Sequence, residues 1–258
     1  MSVNFQDEAE VKEYLSNIGI EYRFGCYSEK KPEVCHLLGD YLESIHRDYE
    51  KARKVFRSTC DDYGYAKSCL KYANYTFIGR GKSGSKPNPT EALEYYEKGC
   101  KLNDSENCLN AGLLLVSPKM NDRRDFMKGM EYLTKSCDMN NGNACYYLSG
   151  MHISGAEGPI RSQETTAPLM SSTEANVKKS NTKAGDYTVE KNMAKAFELT
   201  TKACELNNMF ACANLAHMYA RGEGTEKNKE KAEIYKKKAI ALQEEIKNSK
   251  QLLFQQTS

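Results

Sequence analysis

Tryptophan is absent from the 258-residue chain, histidine occurs four times and proline six times. Excess charge of either sign is missing too: 37 Lys and Arg stand against 35 Asp and Glu, a formal net charge of +2. That balance cannot build the phosphate-neutralising surface of a nucleic-acid binder, so no nucleic-acid partner is expected. No apolar run approaches the ~18 residues of a transmembrane helix. The opening MSVNFQDEAEVKEYL is acidic, lacks the apolar stretch of a secretory signal, and is not an Arg-rich transit peptide. No CxxC occurs, which removes the spacing favoured by zinc sites and thiol-redox enzymes. Hydrophobic residues make up only 40% of the chain, which points to a thin, extended core.

What the chain does have is cysteine, ten of them, at 26, 35, 60, 69, 100, 108, 137, 145, 204 and 212. They form five close couples, two spaced i,i+9 followed by three spaced i,i+8. The second members recur every 34–39 residues until the last step, which is 67, and periods of this length mark a repeat array. Upstream of each first cysteine, offsets −8, −5, −4 and −1 carry Ala52, Val55, Phe56 and Thr59; Ala92, Tyr95, Tyr96 and Gly99; Gly129, Tyr132, Leu133 and Ser136; and Ala196, Leu199, Thr200 and Ala203. With the cysteine these trace one face of an amphipathic helix, here helix B. Downstream of each second cysteine, the +4 position is small every time (Gly39, Ala73, Gly112, Ser149, Ala216), as a helix A closely approached by a neighbour requires.

The expected fold is therefore all-α, an α/α superhelical solenoid of TPR-like helical hairpins whose concave face presents helix A residues to a partner. Residues 1–25 read as a capping helix with Val11, Tyr14, Leu15 and Ile18 on one face, and residues 26–247 as five repeat units. Residues 156–188 have no apolar period and read as a disordered insert; residues 248–258 read as a polar tail. In the final unit Ile240 stands where a cysteine would be, and it ends the stack.

Each couple places one cysteine in the last turn of helix B and the other in the first turn of the next helix A. In an antiparallel pair those positions face each other at disulfide distance. The expected bridges are Cys26–Cys35, Cys60–Cys69, Cys100–Cys108, Cys137–Cys145 and Cys204–Cys212, each worth about 2.5 kcal/mol in the chain-entropy model. Reduced packing cysteines and a zinc site are the competing readings.

Several motifs are decoys. Gly79-Arg80-Gly81-Lys82-Ser83-Gly84 matches GxGxxG but follows a helix rather than a strand. The SxxK strings at Ser28, Ser83 and Ser180 lack the companion elements of a penicillin-recognising serine enzyme. The sequons at Asn74 and Asn103 would matter only in a secretory route. Met151-His152 and His217-Met218 lie on related helices, which makes His152 and His217 candidate haem ligands against ordinary packing or surface roles. No cofactor is required by the pattern and no metal site is expected.

The stretch LAHMYARGEGTEKNKEKAEIYKKKA resembles a Sel-one-like repeat, a relative of the TPR. With FQDEAEVKEYL, CYSEKKPEVC, KACELNNMFACANLAHMY and the order of cysteine spacings, the chain resembles the cytochrome c oxidase assembly factor 7 family. The resemblance implies a protein of the mitochondrial intermembrane space, imported through that compartment's oxidative machinery and needed for assembly of respiratory complex IV. It also implies protein partners in that process, and raises an alternative activity as a haem-binding thiol-disulfide reductase acting on copper-delivery chaperones. The 156–188 insert and the missing Trp depart from the wider pattern without touching a cysteine couple.

Overall fold

The computed structural model describes residues 3–81, 86–159 and 186–255. Eleven α-helices run through them: α1 Glu8–Tyr27, α2 Pro32–Ser44, α3 Tyr49–Tyr63, α4 Ala66–Ile78, α5 Pro89–Lys101, α6 Ser105–Val116, α7 Phe126–Asp138, α8 Gly142–Ser154, α9 Met193–Glu205, α10 Met209–Arg221 and α11 Lys229–Gln255. Odd-numbered helices are B helices and even-numbered ones are A helices. The chain divides into two compact units, Met1–Ala111 and Gly112–Ser258. Within the first, α1 packs on α2, α2 on α3, α3 on α4 and α4 on α5; within the second, α7 to α11 pack in the same sequential way.

Local signals explain where the helices start. Asp48, Asn88, Asp125, Asn192 and Asn208 are N-caps whose side-chain oxygens accept from a backbone N–H three residues on. Pro32 and Pro89 sit in first turns, where a missing N–H costs nothing. The core is the stripe expected from the repeat. Ala52, Phe56, Thr59, Ala92, Leu133, Ser136, Ala196, Thr200 and Ala203 are all fully buried. The −5 position is less uniform, since Val55 is buried while Tyr95, Tyr132 and Leu199 are half-buried. Two buried hydroxyls bond within their own helix, Thr59 to the Val55 carbonyl and Thr200 to the Ala196 carbonyl, each at 2.7 Å.

Four features differ from the sequence reading. First, α1 starts at Glu8 and runs on to Tyr27, so the capping helix itself carries Cys26. Second, the two ends of the 156–188 segment are ordered, because Ala156–Pro159 (β1) pairs antiparallel with Asp186–Val189 (β2). Phe126 anchors this ribbon: the Tyr187 ring lies 6.0 Å from it, and Gly158 sits where a Cβ would come within 2.7 Å of its ring. Residues 160–185 of that segment lie outside the described residues. Third, a short 3-10 turn at Pro118–Arg123 joins α6 to α7. Fourth, the backbone from 248 to 255 continues α11 as helix instead of forming a tail.

Candidate functional site

The cysteine couples are the chemistry-bearing feature that every repeat shares, and the structure places them at the junction from each B helix to the next A helix. Five disulfides join Cys26 to Cys35, Cys60 to Cys69, Cys100 to Cys108, Cys137 to Cys145 and Cys204 to Cys212, with Cα separations of 4.5 to 4.8 Å. Cysteines outside these bridges are absent, and each of the ten is at most 6% exposed.

A left-handed residue turns the chain inside every bridged loop, and it explains the two spacings. Lys30, Gly64, Asn103, Asn140 and Asn207 have φ of 55°, 62°, 60°, 61° and 60°. The second cysteine follows that residue by five positions in all five loops. The first cysteine precedes it by four positions in the i,i+9 couples and by three in the i,i+8 couples. The additional residue therefore always lies on the helix B side, and the entry into helix A is invariant. The left-handed conformation disfavours ordinary side chains and is best tolerated by Gly and Asn, which fill four of the five positions.

Buried polar contacts tie successive A helices together beside the bridges. His36 Nδ1 lies 3.0 Å from Ser68 Oγ, Asn107 Nδ2 donates to the Ala66 carbonyl at 3.0 Å, and Asn208 Nδ2 donates to Asn143 Oδ1 at 2.8 Å. Ser68, His36 and Asp40, whose carboxylate is 3.6 Å from His36 Nε2, have the connectivity of a hydroxyl–imidazole–carboxylate triad. Ser68 is fully buried, so no substrate carbonyl can reach its oxygen, and the trio is a structural link between α2 and α4. Burial lowers the His36 pKa, outweighing the nearby Asp40. The sequence passed over His36 because a lone histidine one residue after a cysteine has no periodic signal.

A second polar cluster lies on α3 to α5. Arg53 donates to the Tyr72 and Thr76 hydroxyls, Tyr72 donates to Glu91 at 2.6 Å, and Tyr95 donates to Asp61 at 3.0 Å. Lys98 closes the set with an ion pair to Asp61 at 2.6 Å. Burial raises the Tyr95 pKa to about 12, with its hydrogen bond to Asp61 adding to the effect. Each charge here has a counter-charge within the chain, which marks a packing network rather than an anion site.

The two histidine candidates have different surroundings. His217 is exposed, while its neighbour Met218 is buried. His152 is half-buried; its Nδ1 makes no hydrogen bond, and burial lowers its pKa. Among the described residues no three His, Cys, Asp or Glu side chains gather as a metal site, and no helix is long and apolar enough to cross a membrane.

Comparison with known proteins agrees with the repeat geometry. The Sel1 repeat family matches residues 66–104, 120–141, 183–208 and 210–243. A Sel1 repeat protein from Oxalobacter formigenes shares the fold with a TM-score of 0.64 at 16% identity, covering 91% of this chain and 84% of its own. The antigen c5321 of uropathogenic Escherichia coli, an SLR fold, does so with a TM-score of 0.54 at 15% identity, covering 90% and 56%. A Drosophila melanogaster protein named cytochrome c oxidase assembly factor 7 homolog is 59% identical over 99% of this chain and 98% of its own. A Xenopus tropicalis protein named cytochrome c oxidase assembly factor 7 is 33% identical over 92% and 90%. Bridged helical repeats and near full-length similarity lead to one conclusion: the chain belongs to the cytochrome c oxidase assembly factor 7 family.

Proposed function

We propose that this protein is an assembly factor for cytochrome c oxidase, respiratory complex IV, that works in the mitochondrial intermembrane space as a helical-repeat scaffold for protein partners of complex IV biogenesis. The names of its relatives support the process. The observation that carries the scaffold reading is the burial of all ten bridged sulfurs. A thiol-disulfide reductase acting on copper chaperones needs an accessible, low-pKa thiolate and a labile bridge, whereas buried staples resist attack by an incoming thiolate. An oxidising compartment is where such staples persist. Partner recognition then falls to side chains on the exposed helix faces, and no cofactor has to take part.

Fractionation combined with thiol counting tests this reading. Protein recovered from mitochondria with the outer membrane opened should release into the soluble fraction and show almost no alkylatable cysteine before reduction. Loss of the protein should lower fully assembled cytochrome c oxidase on native gels, and re-expression should restore it. Ten alkylatable cysteines in native material from the cytosol would overturn the proposal.

A further inference from the structure

The turns from helix A to helix B share one main-chain bond. The carbonyl seven residues after each second cysteine accepts from the N–H of the residue that caps the next helix: Leu42 from Asp48, Thr76 from Asn88, Leu115 from Asp125, His152 from Asn192 and Tyr219 from Asn228, at 2.8 to 3.1 Å. Leu, Thr and Tyr at this place keep one charge state through neutral pH, and His152 is the exception because imidazole titrates there. Its turn, from α8 to α9, is also the one that carries the β1–β2 ribbon.

The surroundings of the ring suit its neutral form alone. The imidazole bonds the Glu190 main chain, just after β2, and Nδ1 is sealed from solvent with no hydrogen-bond partner. Helix α8 itself has no Asp, Glu, Lys or Arg, and of the charges on α7, α9 and the ribbon it is Lys195, in the first turn of α9, that acts on the ring. A proton added to this ring sets a positive charge and an N–H donor where no acceptor stands, beside a second cation. Burial therefore outweighs the Glu190 bond and keeps the proton off. The segment that covers the ring can open by itself: residues 190–192 are fastened to α8 by the ring and by the His152 carbonyl, whereas the flanking helix pairs are locked by Cys137–Cys145 and Cys204–Cys212. We propose that His152 is a pH-operated clasp: protonating its ring frees residues 187–192 from the end of α8 and opens the ribbon, while the bridged repeats on both sides stay folded. The clasp is closed above pH 6.5 and loosens as pH falls from there, since the freed ring binds a proton at its ordinary value and the clasped ring resists it.

Hydrogen exchange of the oxidised full-length chain, read by mass spectrometry at pH 7.5, 6.5 and 5.5 and corrected for the intrinsic rate, tests the clasp. Protection over residues 187–192 should fall several-fold from the highest pH to the lowest, while the equivalent turns at 125–129 and 228–232 keep theirs. His152→Leu, matching Leu42 and Leu115 at the same place in other repeats, should hold protection over 187–192 constant across the range. In the unaltered protein the ring-proton resonances of His152 should titrate over the pH range in which the segment opens. Protection that does not change with pH, that falls equally in His152→Leu, or that falls without titration of the His152 ring would overturn the inference. So would an absorption band of added haem that wild type shows and His152→Leu lacks, because it would assign the ring to iron.

Discussion

A Cβ placed on Gly112 would lie 2.9 Å from the Gly129 carbonyl oxygen, and one placed on Gly129 would lie 3.0 Å from the Gly112 carbonyl oxygen. The backbones of α6 and α7 come close here, and the same added Cβ atoms would also press on the Leu133 and Val116 side chains, at 2.8 and 2.7 Å. Gly112→Val forces them apart and should cost about 2–3 kcal/mol, as overpacking does, lowering the urea midpoint with disulfides intact. Gly150 in α8 has open space around its Cβ position, so Gly150→Ala should instead gain about 0.5–1 kcal/mol. Equal effects at the two sites would contradict the close crossing.

The left-handed residue of each bridged loop gives a second pair of substitutions. Lys30 holds φ of 55° with a full side chain, so Lys30→Gly should stabilise the oxidised protein by about 0.5–1 kcal/mol. Gly64 holds φ of 62° in the equivalent loop, and Gly64→Ala should destabilise by about 1 kcal/mol. Denaturant titration of the two variants beside wild type reads both signs.

Removing one staple should be measurable and local. Replacing Cys60 and Cys69 together by serine opens a ten-residue loop and should lower stability by about 2.5 kcal/mol without moving the other bridges, seen by mass mapping. Titration against glutathione buffers should find the buried bridges reducing below about −300 mV. A bridge that reduces near the glutathione potential would point to reductase chemistry.

Acidification should weaken the fold before the carboxylates titrate. Burial depresses the pKa of both His36 and His152, so the folded state resists a proton that the unfolded chain takes up near pH 6.5. Stability contributed by the neutral rings is complete above pH 6.5 and is lost as pH falls from there through the folded values. Unfolding free energies measured at pH 8, 7, 6 and 5 should decline over the lower two steps. His36→Asn should flatten part of that decline, and an unchanged slope would show that His36 is not responsible.

Much of this architecture was legible in the sequence because repetition amplifies weak signals. One amphipathic stripe is ambiguous, but four stripes aligned on a cysteine, each followed by a small residue at +4, leave few alternatives. The ribbon of β1 and β2 escaped notice because four-residue strands containing Gly158 and Pro159 carry no alternating pattern, and paired residues lie far apart in the chain, Pro159 27 residues from Asp186 and Ala156 33 residues from Val189. The link from His36 to Ser68 has no local signature at all, since it spans 32 residues.

Sequence alone determined the repeat, its period, the face each helix buries and the residues available to bridge, because helical periodicity and cysteine spacing are properties of the chain taken in order. Tertiary structure decided which of those residues are sealed from solvent, that a left-handed residue five places before each second cysteine sets the entry into helix A, and that His152 Nδ1 is buried without a partner. Burial and φ depend on what packs against a residue, and neighbours distant in the chain are settled only when the helices come together.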